Sequence, residues 1–514
     1  MLWRKFPILI FMTLSLVACG GGSNNPGGSG EGGSSGEVTP NASPQPVMME
    51  RLSDAEYDAL SPEDKYALAN KVMGTLFKGL APEEFFDLQN GLSSPTPKDS
   101  HNILPQIEAD LLVGLNETTY RNRVQQNYVF DESQEPIQYQ LALLYEVPIS
   151  RNYFEIWMAY QLSNTILFSP AVELDTVSYD DAQRVFERLV SMIRQGSSIR
   201  QIVNAHITSQ ENWRRFRSPE DNTREMMEIF LHHYNDAEVP LAAQACQNWS
   251  LEKIDKHYRL VIGDNPNTEP VDVLGTTIVQ CQDFYNAVSN HADLNPTIVA
   301  TIVNLFFPDY PDSDKARITN DIVEDDPETF KAIFMNLLFS REYLVSVERP
   351  KAFEELFFAS ADKIDWFAYR KFFKYLSRQS SSSSYPSLNN MKQAAFAYKL
   401  GRQVAIPLDT LSFAYYHKVV RERLLLDYKG NPDNVDDGGW QGSILSVNLT
   451  GDDYIDYLFL AILSRKATPE ELNTLHAVFA SRGYDRDDRK KQQAMIVLDY
   501  LSRLSELYHT QPFE

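Results

Sequence analysis

One helix-start pattern recurs along this chain and limits what it can fold into. Each copy has a proline followed by one or two acidic residues. The copies are Ser61-Pro62-Glu63-Asp64, Ala81-Pro82-Glu83-Glu84, Ser218-Pro219-Glu220-Asp221, Asp326-Pro327-Glu328 and Thr468-Pro469-Glu470-Glu471. Proline suits the first helical position because the amide that it lacks has no intrahelical partner there, and acids stabilise the positive end of the helix dipole. We therefore predict a helix start at each copy, with a capping box at the last.

The spacing of apolar residues between these starts is also helical. A stripe with 3.6-residue periodicity is formed by Val185, Phe186, Leu189, Val190 and Ile193. Residues 330–344 and 454–463 are apolar on nearly all sides, which predicts central, buried helices. Strand signals are weak and confined to 276–279 and 443–450, the second being a candidate hairpin arm. The sequence therefore predicts an all-α body with at most a short β-hairpin.

The N-terminus has the pattern of an export signal. Arg4 and Lys5 precede an apolar stretch, 6–16, that is too short to span a bilayer comfortably. The end of this stretch, Leu16-Val17-Ala18-Cys19, resembles a bacterial lipobox, in which the cysteine is lipidated after cleavage. We expect a signal peptide at 1–18 and lipid attachment at Cys19, and cleavage as an ordinary signal peptide is the alternative. The resemblance implies an exported protein anchored in the bacterial envelope, and Gly20 after the cysteine favours the outer membrane.

The next segment has almost no side chain that could bury apolar area. Residues 20–46 are mostly glycine, serine, asparagine and proline, so ordering them would lose entropy without compensation. We predict a disordered, lipidated tether at 19–48 and a first helical domain at 49–378. A C-terminal helical continuation, 379–514, begins at a serine run and contains a second loop at 429–441.

The three cysteines divide naturally if Cys19 carries the lipid. Cys246 and Cys281 are then an even pair in an oxidising compartment, which predicts a disulfide bond. Two separately buried thiols are the alternative, because sequence does not show proximity. The spacing of the cysteines indicates no haem or zinc site.

Charge and hydropathy exclude several classes of protein. Lys and Arg number 47 against 70 Asp and Glu, a net charge of −23. This excess of negative charge argues against nucleic acid as a partner and against general affinity for anionic lipid headgroups. Hydrophobic residues make up 43% of the chain, enough for a large core. No later run of 18 apolar residues occurs.

The segment 221–233 is the strongest candidate for chemistry. On a helix, Asp221, Glu225, Glu228 and His232 share one face. Such a face could hold a divalent metal ion or act in acid–base catalysis, and it is also what a solvated helix surface looks like. A second ligand-bearing helix is not evident in the sequence. We therefore assign no catalytic residue, cofactor or metal ligand, and a bound divalent metal is the alternative.

A family resemblance extends this candidate. The stretch 191–249, with DNTREMMEIF and LAAQACQNW, resembles the domain of unknown function 1800 family, and 330–355 and the Gly-Trp turn at 438–442 are similar to its later segments. The matching positions, together with His232, define a candidate polar site of Asn222, Arg224, Glu225, Glu228, His232 and Trp249. A buried structural cluster, a ligand site and a catalytic site are its three interpretations. Family membership implies an exported helical protein, often encoded beside a partner of the domain of unknown function 1501 type, and no established reaction.

No complete catalytic motif is present. The oxygen-rich loop 431–438 fails as an EF-hand because Val435 interrupts the ligand pattern and no glutamate closes the loop. The sequence therefore predicts a cell-envelope lipoprotein whose helical body is a binding or assembly module for a secreted partner or surface polymer. The alternative is a metal-dependent or acid–base hydrolase of envelope or extracellular polymers.

Overall fold

The structure is a computed structural model that describes residues 49–512, with gaps at 131–137, 169, 171–173, 179, 233–234, 377–387, 389–390, 392–409, 429–437 and 441. The predicted signal peptide, the lipid site at Cys19, the tether, the serine run and most of the 429–441 loop lie outside the described residues. The interpretation of each of these segments stays a prediction.

The described residues contain 24 α-helices, and the all-α class is confirmed. The first twelve are α1 (Asp54–Ala59), α2 (Pro62–Thr75), α3 (Pro82–Phe85), α4 (Leu104–Asp110), α5 (Glu117–Asn127), α6 (Gln138–Glu146), α7 (Arg151–Asn164), α8 (Asp181–Arg194), α9 (Ile199–Ile207), α10 (Gln210–Arg215), α11 (Pro219–Leu231) and α12 (Val239–Ala245). The others are α13 (Cys281–Asn290), α14 (Leu294–Phe306), α15 (Asp312–Glu324), α16 (Phe330–Leu338), α17 (Arg341–Ser346), α18 (Phe353–Lys363), α19 (Phe372–Leu376), α20 (Thr410–Val419), α21 (Ser443–Ser446), α22 (Gly451–Leu463), α23 (Pro469–Arg482) and α24 (Lys490–Leu501). A π-helix, Val420–Leu425, continues α20.

Ten short strands in the described residues form five two-stranded antiparallel sheets. The pairs are β1 (Phe86–Asp87) with β2 (Thr96–Pro97), β3 (Trp249–Ile254) with β4 (His257–Ile262), β5 (Val271–Val273) with β6 (Thr276–Ile278), β7 (Arg349–Pro350) with β10 (His509–Thr510), and β8 (Trp366–Phe367) with β9 (Gly439–Trp440). The largest hairpin, β3–β4, turns through Asp255 and Lys256, both at positive φ, as a tight two-residue hairpin turn requires.

Four of the five predicted helix starts are confirmed, at α2, α3, α11 and α23, and Thr468 and Glu471 form the predicted capping box. The start at Asp326-Pro327-Glu328 is wrong, because the helix begins at Phe330, where the Thr329 hydroxyl accepts a hydrogen bond from the Ala332 amide at 3.3 Å.

Two other predictions differ from the structure. The apolar stretch 330–344 is not one helix: α16 ends at Leu338, and the Ser340 hydroxyl caps the start of α17. The predicted hairpin arm at 443–450 is wrong, since its first residues form α21 with amides bonded to the Gly442 carbonyl. The stretch 454–463 is confirmed as a buried helix, α22, and 276–278 as a strand.

The described residues belong to one compact unit. Its hydrophobic core contains side chains that precede residue 378 in the sequence and side chains that follow it. The predicted first helical domain and C-terminal continuation therefore share one core. Helix α18 is central: the Phe357 ring packs against Trp366, the Phe358 ring packs against Tyr145, and the helix also contacts α2 and α22. Among the described residues, no helix has the length and apolar character needed to cross a bilayer.

Candidate functional site

Two members of the predicted polar site lie inside the protein. Asn222 is fully buried on α11, and its Oδ1 accepts a hydrogen bond from the Tyr285 hydroxyl at 2.8 Å. The Trp249 ring, at the start of β3, lies 5.6 Å from the ring of Tyr285 and 5.7 Å from that of Trp213, centroid to centroid. These contacts pin α11 to α10, α13 and the β3–β4 hairpin.

The other four members do not join this cluster. Arg224 pairs with Glu220 one turn earlier on the same helix, at 3.5 Å. The Glu225 carboxylate acts on the buried guanidinium of Arg215, where it opposes the lowering of the pKa by burial.

Glu228 and His232 are both exposed, and His232 ends α11 in a left-handed conformation with φ 47°. Its amide donates to the Glu228 carbonyl at 3.2 Å. In the part of the chain that the structure describes, no three His, Cys, Asp or Glu side chains are grouped to hold a metal ion. The structure thus separates the six predicted residues: Asn222 and Trp249 lie in a buried packing cluster, Arg224 and Glu225 interact with other residues, and Glu228 and His232 are exposed.

Cys246 and Cys281 are joined by a disulfide bond, as predicted, and both are buried. The bond links the end of α12 to the start of α13 and encloses the segment that carries both β3–β4 and β5–β6. It therefore holds the base of these hairpins against the helical core.

A cavity of about 370 Å³ provides a different site, which we call the cationic cavity. It lies between α2, α18, the end of α22 and the C-terminal segment around β10. Its charged lining residues are Glu63, Asp64, Lys71, Arg349, Lys351, Glu355, Lys363, Arg465 and Glu506.

Small side chains leave the space open. Ala67 and Gly74 on α2 face Ala359 and Ser360 on α18. Just beyond α2, a Cβ on Gly79 would lie 2.1 Å from the Ala359 carbonyl oxygen. Only glycine permits this approach, so the packing of the segment after α2 against α18 depends on that position.

Arg349 is buried in the wall of the cavity and is already paired. Its two terminal nitrogens donate to Glu355, Nη1 to Oε2 at 2.9 Å and Nη2 to Oε1 at 2.6 Å, and Nη2 also donates to the Tyr343 hydroxyl at 3.0 Å. Burial alone would lower the pKa of Arg349, but the Glu355 carboxylate more than offsets it, so the pKa is raised. This guanidinium stays charged and occupied.

The three lysines of the cavity, unlike Arg349, have pKa values below the ordinary lysine value. Burial lowers the pKa of Lys71 to about 7, helped by the charges of Arg349 and Lys351. Its Nζ donates to the carbonyls of Val347 at 2.7 Å and Gln511 at 3.1 Å. Burial also lowers the pKa of Lys351 to about 8. The Lys351 Nζ donates to the Leu507 carbonyl at 3.3 Å and forms no ion pair with a described carboxylate.

Lys363 is the least satisfied of these groups. It lies at the end of α18, only 6% exposed, and burial together with the charge of Lys351 lowers its pKa to about 7. Its ammonium has no hydrogen bond or ion pair within the described residues, and neither has the hydroxyl of Ser360, which is 3% exposed. Both side chains line the cavity, and their i, i+3 spacing puts them on one face of α18.

Sequence reasoning missed this site. Lysine side chains in helices are mostly exposed, so neither Lys71 nor Lys363 stands out in the sequence. Lys351 falls within the segment 330–355 that carries the family resemblance, where it was not singled out. The three lysines come from segments far apart in sequence, so no local spacing could have grouped them.

No protein family, curated protein or solved structure matches this chain.

Proposed function

We propose that this chain is a lipid-anchored protein of the bacterial cell envelope whose helical body binds an acidic group of a secreted partner or surface polymer in the cationic cavity. The observation that carries the proposal is a surplus of buried positive charge. Lys363 forms no ion pair among the described residues, although the adjacent Asp362 carboxylate acts on it electrostatically, and burying an unpaired ammonium is costly. An acidic ligand would supply the missing counter-charge.

The carboxylates of the cavity are already committed elsewhere. The Glu355 carboxylate forms an ion pair with Arg349. Glu506 pairs with Arg465 at 2.7 Å, and Glu63 pairs with Lys466 at 3.2 Å. Asp64 accepts the Ser61 hydroxyl at 2.7 Å at the start of α2. None of these acids forms an ion pair with Lys351 or Lys363, which supports an external anion as their partner.

The placement in the envelope rests on the N-terminal sequence. The lipobox-like segment ending at Cys19 and the Gly/Ser-rich segment after it would tether the body to a membrane. A secreted partner of the domain of unknown function 1501 type, or a surface polymer, is the ligand-bearing molecule that fits such a position. Binding is preferred to hydrolysis because Glu228 and His232 are exposed at a helix end, without a converging third group among the described residues.

The test has an anchoring arm and a binding arm. For anchoring, the full chain is expressed in a bacterial host with labelled fatty acid, and we expect label and membrane retention that Cys19→Ala abolishes. For binding, the mature protein in non-ionic detergent is titrated with polyglutamate, a sulfated polysaccharide and a phosphate-bearing polysaccharide. We expect at least one polyanion to bind the wild type and to bind Lys363→Met more weakly.

Lys418→Met is the matched control, because Lys418 is an exposed lysine on α20 outside the cavity. The binding proposal fails if all three polyanions bind wild type, Lys363→Met and Lys418→Met equally, or bind none of them. Unlabelled Cys19 with the chain found in the soluble fraction would contradict the anchoring arm.

A further inference from the structure

The last turn of α18 carries two buried polar groups that the protein itself leaves unsatisfied. The Lys363 ammonium and the Ser360 hydroxyl both line the cationic cavity, and neither has a partner among the described residues. A donor that finds no acceptor in the protein is unfavourable, and more so if it is charged. Two such donors on one helix face, both open to the same cavity, indicate a place where an acceptor from outside is bound.

The donors that remain free restrict the shape of this acceptor. A planar carboxylate is best recognised by the two-pronged fork of an arginine. Both arginines of the cavity have that fork occupied, Arg349 by Glu355 and Arg465 by Glu471 at 2.8 and 3.0 Å. Ammonium and hydroxyl groups are single-point donors, which suit an anion with several oxygens arranged around a centre.

The positive charges of the cavity also favour an anion with more than one negative charge. Lys351 lies within electrostatic reach of both Lys71 and Lys363, and the mutual repulsion of these ammonium groups contributes to their lowered pKa values. Glu355 and Glu506 act on Lys351 in the opposite direction but form no ion pair with it. A dianion would neutralise this group of lysines better than a monoanion.

The volume of the cavity exceeds what a bare oxyanion needs. About 370 Å³ lies in the range of small-molecule sites, and apolar walls are provided by Leu356, Ile462 and Leu463. The space therefore admits a tetrahedral oxyanion together with a compact substituent.

We propose that Ser360 and Lys363 bind the phosphoryl group of a phosphomonoester, with Lys351 and Lys71 contributing positive charge and the ester substituent lying against the apolar walls. This inference rests on the proposed function, because it identifies the acidic group that the cavity takes. The phosphomonoester can be a free molecule or the terminus of a polymer, since both present the same group.

The test is a calorimetric titration of the mature full-length protein in non-ionic detergent. The probes are inorganic phosphate, glycerol phosphate, an oligosaccharide ending in a phosphomonoester, and polyglutamate. We expect saturable binding of glycerol phosphate, about 10–100 fold weaker in Lys363→Met, as for loss of a hydrogen bond to a charged group. Ser360→Ala should weaken it about 2–10 fold, as for loss of a neutral donor. Lys418→Met should not change it.

Two comparisons make the result decisive. Tighter binding of the oligosaccharide than of glycerol phosphate supports a polymer source, and the reverse order supports a free molecule. If polyglutamate binds in a Lys363-dependent manner and neither phosphomonoester binds, the phosphoryl assignment is overturned while the proposed function stands. If no probe distinguishes Lys363→Met from wild type, both are overturned. Ser360→Ala removes one oxygen from a helical residue, so it tests the site even if Lys363→Met folds poorly.

Proton uptake gives a readout that a merely structural role would not produce. An entering anion raises the lysine pKa values, so the cavity takes up protons as the ligand binds near pH 8. Titrations in buffers of different ionisation enthalpy measure this uptake. We expect it in wild type and Lys418→Met and expect less of it in Lys363→Met. Binding without proton uptake would contradict the placement of the phosphoryl group beside these lysines.

Discussion

Arg349 and Glu355 form a two-pronged ion pair in which both side chains are at least 94% buried. The pair joins β7 to the first turn of α18, where Glu355 also accepts the Ala352 amide at 2.8 Å. It lies in the wall of the cationic cavity, where the Glu355 carboxylate is paired with Arg349 and forms no ion pair with the neighbouring lysines, although it acts electrostatically on Lys351.

Breaking this pair from one side should destabilise the protein strongly. Glu355→Gln leaves a buried guanidinium without its counter-charge, and we expect the free energy of unfolding to fall by about 3–5 kcal/mol. Chemical denaturation measures the change. The control is Glu108→Gln, which removes the partly exposed pair between Arg51 and Glu108 and should cost at most about 1 kcal/mol. Equal effects of the two substitutions would contradict the burial of the Arg349–Glu355 pair.

Lys363 should make stability depend on pH in a defined direction. Its pKa is lowered to about 7 in the folded protein from an ordinary value of 10.5. Between these values the unfolded chain holds the proton that the folded chain has lost, so the contribution of Lys363 to stability rises with pH across this window. Lys363→Met should therefore be more stabilising at pH 6 than at pH 9, by about 1–3 kcal/mol.

Unfolding of wild type and Lys363→Met at several pH values checks this, because the difference between the two proteins cancels the other titrating groups. Lys418→Met should show no such dependence. A Lys363→Met effect that is the same at pH 6 and pH 9 would show that Lys363 titrates normally.

The disulfide bond should stabilise the protein by closing a loop, which restricts the unfolded chain. Cys246 and Cys281 are 35 residues apart, and removing such a cross-link costs about 2–4 kcal/mol. We expect reduction, or the double substitution Cys246→Ser with Cys281→Ser, to lower the unfolding temperature. Peptide mapping without reductant should recover the two cysteines in one linked fragment. Recovery as two free thiols would refute the bond.

Asn222 and Tyr285 should behave as a structural pair. Asn222→Ala leaves the buried Tyr285 hydroxyl without its acceptor, which should cost about 1–3 kcal/mol. In Tyr285→Phe the hydroxyl is absent, so adding Asn222→Ala should then cost less. A double-mutant cycle measures this coupling. Additive effects, or loss of phosphomonoester binding in Asn222→Ala with stability unchanged, would favour a ligand-binding role for this residue.

Local sequence signals predicted much of the fold because helix starts are decided within a few residues. Ser61, Ser218 and Thr468 each cap the helix that follows them. The same rule explains the error at Asp326-Pro327-Glu328, where Thr329 supplies the stronger cap three residues later. The weak alternation of apolar and polar residues at 443–450 is also compatible with a short helix. The helix forms there with the Gly442 carbonyl accepting hydrogen bonds from the amides of Leu445 and Ser446.

The candidate site was beyond the reach of these rules. The spacing of polar residues on α11 was visible, but the inward orientation of Asn222 is set by Tyr285, 63 positions away. The cavity is lined by residues near positions 71, 351, 363 and 510. Its capacity to bind an anion depends on polar side chains there that have no partner within the protein. Only the packing of distant segments can reveal an unpaired group.

The state of the Lys363 ammonium is the most direct test of this account. Carbon-detected NMR of protein with ¹³C-labelled lysine gives the titration of each side chain, and Lys363→Met identifies the resonance. We predict that Lys363 titrates near pH 7 in the free protein and at higher pH with glycerol phosphate bound. Titration at the ordinary lysine pKa, unchanged by glycerol phosphate, would contradict it.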